Sequence, residues 1–176
     1  MPAKIPLPDD AQLPPEIAAT LAALPPLNVF RMMANAPMSF QPWVDLAKAI
    51  LLHNEFDQRK REIAVLRVAH VTGATYEWTH HVFVAKSVGV TDDEIAKIAV
   101  DGPVRALDAE GNTLCRVADE ISRNVRLSDE ALAAIVERYG VQQATELILC
   151  CSYFNMLSRF LESTRVELEP FVPAAP

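Results

Sequence analysis

Apolar positions recur every three or four residues through most of the chain between Asn28 and Glu167, and glycine or proline closes most of the runs. That periodicity is helical. The sharpest example is Arg61 to Val90. Val65, Leu66, Val68, Ala69 and Val71 follow Glu62 at helical spacing, and Gly73 stands where a left-handed C-cap is wanted. Thr75 is expected to cap a second helix, which carries Glu77, Trp78, His80 and His81 in its first two turns, then Val82, Phe83, Ala85 and Val88 before Gly89 closes it. The proton-active side chains therefore gather at one end of two otherwise apolar helices.

The remaining punctuation divides the chain into further helices. All prolines but Pro103 lie before Trp43 or after Glu169, so the middle is free for long helices. Residues 1–14 read as an extended, non-helical arm, residues 15–169 as a single helical domain, and residues 170–176 as a loose tail. Within the domain, helices are expected from Pro15 to Leu24, Asn28 to Ala34 and Pro37 to His53, and then from an Asp57 cap through Glu62. Thr91 to Glu94 has the form of a capping box for a short helix running to Val100. Leu107 to Val125 is expected to be largely helical with a break near Gly111. Ser128 caps a helix ended by Gly140, and Val141 to Glu167 forms the last and longest one. No segment alternates long enough to be a strand, and no solenoid period is present. The expectation is an all-α bundle of about seven to nine helices. The last helix is apolar around much of its girth, which suits self-association.

Composition narrows the function classes. With 51% hydrophobic and 22% charged residues the chain can bury a core, and its 176 residues suit one domain better than two. A formal charge of −7 argues against a nucleic-acid backbone or an anionic membrane as the main partner. There is neither a long apolar run nor a signal-peptide core, so a soluble, cytoplasmic protein is expected. Cys115, Cys150 and Cys151 are odd in number, and two are adjacent in a helix, where a disulfide is strained. They read as small buried hydrophobes in a reducing compartment. Met32, Met33, Met38, Phe40 and Trp43 read as core or subunit interface.

At about 100° per residue, His80 and His81 flank Glu77 on the helix surface. If the two central helices fold back on one another, Glu62 approaches Glu77 and His81. Two carboxylates and an imidazole in a partly dry site divide into acid and base roles. Glu77-x-x-His80 also matches half of a di-iron ligand set, but no other histidine has a glutamate three residues before it, so no metal is expected. His53 and His70 read as structural. Asn155 and Arg159, polar within an apolar helix, suggest hydrogen bonding across an interface or contact with a substrate carboxylate. No phosphate loop, nucleophile elbow or zinc pair calls for a cofactor.

This spacing resembles that of the carboxymuconolactone decarboxylase and alkyl hydroperoxidase D-like family, in which a Glu precedes Cys-x-x-Cys-x-x-x-His by about a helix and a turn. Glu62 matches the family Glu and His81 the family His, while the cysteine positions fall on Ala74 and Glu77. The resemblance implies the alkyl hydroperoxidase D-like helical bundle, homotrimers or dimers of trimers, and a small-molecule substrate. With both thiols replaced, it points to the decarboxylase-like branch. That means a cofactor-free lyase acting on a carboxylated or lactone-type molecule, with catalytic residues expected at Glu62, Glu77, His80 and His81. The wider family also implies two alternatives, peroxiredoxin-type antioxidant activity or a non-enzymatic oligomeric binding protein.

Overall fold

The computed structural model describes residues 4–170. Among them there are eight α-helices and no strand. The chain divides into two compact units, residues 4–53 with 160–170 and residues 54–159. Of the expected tail, 170–176, all but Pro170 falls outside the described residues.

In the first unit a 3-10 turn, Asp10–Gln12, precedes α1 (Pro15–Ala22), α2 (Asn28–Met33) and α3 (Pro37–Leu52). Residues 4–14 are thus not wholly extended, because the Asp9 carboxylate accepts from the Ala11 N–H and nucleates that turn. Helices α1 and α2 pack on α3, where Phe30 meets Trp43 with ring centroids 5.8 Å apart. Met32, Met33, Phe40 and Trp43 are buried, but Met38 is 90% exposed. Glu169 accepts from the backbone N–H of Asn28, filling an open bond at the start of α2, and the Asn28 side chain donates to Glu167 O at 2.9 Å.

The second unit is built around α4 (Gln58–Thr72), which packs on α5 (Thr75–Ser87), α6 (Asp92–Ile98) and α7 (Ala109–Asn124). Asp57 caps α4 through the Lys60 N–H, and Gly73 ends it with φ 68°, a backbone only glycine adopts without strain. Thr75 is the first residue of α5 and not its cap; Ala74 holds that position and offers no side-chain bond. The Thr91–Glu94 capping box forms as expected. Gly111 does not break α7. It sits in the first turn, where its N–H donates to the Asp108 cap, and an added Cβ would lie 2.9 Å from that of Leu107. Helix α8 (Asp129–Thr164) begins with Ser128 accepting from Ala131 N, and is interrupted at Gly140, where φ is 75° and ψ 171°. The helix stops at Thr164, short of Glu167, because Arg165 turns left-handed at φ 61°. Just before the break, Glu110 accepts from Arg138 Nε and Tyr139 Oη at 2.8 Å and pairs with Lys60 Nζ at 2.9 Å.

Residues Arg61 to Ala69 of α4 are all buried, so the helix is enclosed on every side. Three of these nine are charged, and a buried charge persists only with partners. Arg67, at 0% exposure, has all five of its N–H groups engaged. It donates to both Asp119 oxygens at 2.7 and 3.2 Å, to Ile98 O at 2.9 Å, Val100 O at 2.8 Å and Gly102 O at 2.5 Å. One side chain thereby ties the end of α6 and the loop after it to α7. Arg61 and Glu62, the other two, belong to the site described next.

Candidate active site

The left-handed turn at Gly73 lets α5 pack back along α4. Glu62 and His81 are brought into direct contact, with Nδ1 of the imidazole 2.6 Å from Glu62 Oε2. On the same stripe of α5, one turn earlier, Glu77 places Oε2 3.4 Å from His81 Nε2. Arg61 Nε donates to the other oxygen of Glu62 at 3.2 Å, and Phe154 of α8 sets its ring edge-on to the imidazole at 4.8 Å. Relative exposures are 0% for Glu62, 4% for Glu77 and 9% for His81, so the three proton-active groups share one nearly dry recess.

Burial opposes ionisation of both members of the tight pair, and their mutual attraction overrides it. For Glu62 the desolvation penalty is outweighed by the imidazolium and its hydrogen bond, with help from Arg61, and the carboxyl is held below its ordinary range. For His81, burial pulls the pKa down, yet the Glu62 carboxylate and its hydrogen bond, and then Glu77, raise it to about 10. At neutral pH the pair is therefore a carboxylate and an imidazolium. Nδ1–H is committed to Glu62, which leaves Nε2–H facing Glu77 across a long, loosely made contact.

His80 is oriented differently. Its ring stacks on Tyr76 with centroids 4.2 Å apart, and Nδ1 donates to Tyr76 O at 2.9 Å. The structure thus brings three of the four expected residues together and turns the fourth toward Tyr76. Arg61 and Phe154 were missed. Arg61 had a signal in being the neighbour of Glu62 at the end of a basic run, just before the apolar stretch that begins at Ile63, whereas the Phe154 contact joins helices far apart in sequence. Asn155 and Arg159 also resolve within the chain: Asn155 Nδ2 donates to Ser122 Oγ and to Cys151 O, both at 2.9 Å, and Arg159 Nη1 donates to Asn155 Oδ1 at 2.6 Å.

All three thiols are buried and suppressed as nucleophiles. Burial pushes Cys115 and Cys151 up to about 12, and Cys150, beside Cys151 and the Arg61–Glu62 pair, is raised as well. Both imidazole nitrogens of His81 face carboxylates. Among the described residues, no group of three or more His, Cys, Asp or Glu side chains is arranged to hold a metal ion.

Comparison with known proteins agrees with this architecture. Residues 37–120 match the Carboxymuconolactone decarboxylase family. The fold matches the alkylhydroperoxidase AhpD core of an uncharacterized peroxidase-related protein from Ralstonia eutropha JMP134. That match has a TM-score of 0.81 at 15% identity over 95% of this chain and 92% of the other. An uncharacterized peroxidase-related protein from Silicibacter sp. TM1040 is also similar, with a TM-score of 0.76 at 15% identity over 97% and 92% of the two chains. No curated protein matches the chain.

Proposed function

We propose that this chain, which carries a carboxymuconolactone decarboxylase family segment at residues 37–120, is an acid–base enzyme of the decarboxylase type that needs no cofactor. Its substrate would be a small carboxylated or lactone-type molecule. The observation that carries the reading is the unequal pair of contacts on one imidazole, 2.6 Å to Glu62 and 3.4 Å to Glu77. The short contact fixes tautomer and charge, and the long one leaves Glu77 free to engage a second partner.

In this mechanism Glu62 orients His81 and keeps it protonated, and Nε2–H delivers the proton to Glu77. Glu77 is the group that meets substrate. Loss of carbon dioxide breaks a carbon–carbon bond and leaves its electron pair in a conjugated enolate. The proton passed from His81 through Glu77 then forms the new C–H bond, and solvent reprotonates the imidazole. Substrate carboxylate plus one proton becomes product plus carbon dioxide, with no change of oxidation state in the protein. The dry recess raises the worth of each charge interaction during that transfer.

The test is turnover by Glu77→Gln and His81→Ala against candidate lactones and unsaturated dicarboxylates, with helicity followed by circular dichroism. Positioned acid–base groups contribute roughly 10²- to 10⁴-fold, so losses of that size in folded variants are expected. Full activity in either variant would remove the assignment. A thiol peroxidase reading draws support only from the names of the similar structures, since every thiol here is buried with a raised pKa.

We further propose that the protein self-associates. Leu149 and Met156, two turns apart on α8, and Phe83 on α5 are each about 45% exposed. Sedimentation velocity that finds only monomer at micromolar concentration would overturn this.

A further inference from the structure

A second feature of the same unit has no part in the proton-transfer scheme. A cleft of about 270 Å³ opens where α4 ends and α5 begins, and none of Glu62, Glu77 or His81 lines it. Small residues make up much of its lining: Ala69, Gly73, Ala74 and Ala99, with Thr75. His70 and Trp78 line it too, as a tilted ring pair with centroids 5.9 Å apart and planes inclined at 59°.

We propose that this cleft binds a small, single-ring aromatic carboxylate. The volume suits one ring with one substituent, and the short side chains in the lining leave room for it. Trp78 supplies the aromatic surface. His70 is the one titratable side chain lining the cleft, and no acidic residue lines it, so the lining itself offers a ring N–H to an anion and no carboxylate to a cation. The Asp101 carboxylate, outside the lining and wholly exposed, lies 4.0 Å from His70 Nε2. That loose contact is one a bound carboxylate can replace.

The probe is benzoate, titrated into the full-length protein and followed by tryptophan emission and calorimetry, with benzyl alcohol and benzylamine as neutral and cationic comparators. Saturable one-to-one binding of benzoate is expected, millimolar or tighter as suits so small a ligand. Benzyl alcohol should bind at least tenfold more weakly and benzylamine not measurably. Ala99→Leu fills the cleft from an exposed position and should abolish binding in a protein whose circular dichroism is unchanged; His70→Gln should weaken benzoate selectively. Glu77→Gln, the test of the decarboxylase reading, should leave this binding unaltered, so the two ideas fail separately. Equal binding of the three probes, no binding of benzoate, or full binding by Ala99→Leu would each overturn the proposal.

Discussion

Glu62 and Arg67 lie five residues apart on α4, both at 0% exposure, and their surroundings are built on opposite plans. Every N–H of Arg67 has an acceptor, three of them backbone carbonyls that cannot move without moving the chain. Glu62 is held by His81, whose far nitrogen makes only a 3.4 Å contact to Glu77. A saturated buried charge locks geometry. A buried charge whose partner chain ends in a half-made contact can pass a proton on, and the proposed chemistry is placed at the second kind.

The comparison breaks most readily by removing one partner from each centre. Asp119→Ala strands the Arg67 guanidinium in the core and should cost about 3–5 kcal/mol of stability, measured by urea unfolding. Glu77→Gln keeps volume and hydrogen-bonding capacity beside His81, and should cost under about 1 kcal/mol while turnover collapses. If the two stability losses came out equal, the distinction between a locked centre and a loose one would be lost.

The sequence carried the fold further than it carried these centres. Helix ends were legible wherever a local signal decides them: Asp57, Gly73, the Thr91–Glu94 box and Gly140 all act within four residues of their effect. Gly111 misled because a glycine in a first turn looks like a breaker until the crowding against Leu107 is known. The Glu62–His81 approach was expected from a hairpin folded at Gly73, a contact spanning nineteen residues on two adjacent helices. Arg67 was passed over, since its acceptors are backbone oxygens after α6, and nothing in residue identity marks a carbonyl as an arginine ligand. His80 was placed in the cluster by its spacing from Glu77, and spacing does not reveal that a Tyr76 ring competes for it.

Acidity sharpens the comparison next. His81 has its pKa raised from 6.5 to about 10, so its contribution to stability is complete below 6.5 and is lost as pH rises through 10. Glu62 is lowered from 4.5, so its contribution is complete above 4.5 and is lost as pH falls through the folded value. Both describe one ion pair, counted once, and its full strength lies between those two ordinary values. Unfolding free energy should therefore decline between pH 7 and 8 with the slope of about one proton, roughly 1.4 kcal/mol per pH unit. The upper limit stays below the buried thiols, whose unfolded forms are half ionised at 9.0. His81→Gln should flatten that slope, and a flat profile in the parent protein would show the imidazole to be neutral.

The smallest effect concerns Arg61, which touches both plans: it is a buried arginine like Arg67, yet it serves the proton-active carboxylate. Its Nε bond to Glu62 is 3.2 Å, longer than the imidazole's 2.6 Å, and its charge is among the lesser causes holding the Glu62 carboxyl down. Arg61→Met keeps most of the packing stem and removes the charge. Glu62 should then titrate higher, moving the acid limb of the stability profile upward. His81, relieved of a nearby cation, should hold its proton at least as firmly, so the alkaline limb should stay in place or move upward. Measured together, the two limbs separate an arginine that tunes the carboxylate from one that merely fills space. A rise of the acid limb, with the alkaline limb in place or higher, marks the first, and no shift in either limb marks the second.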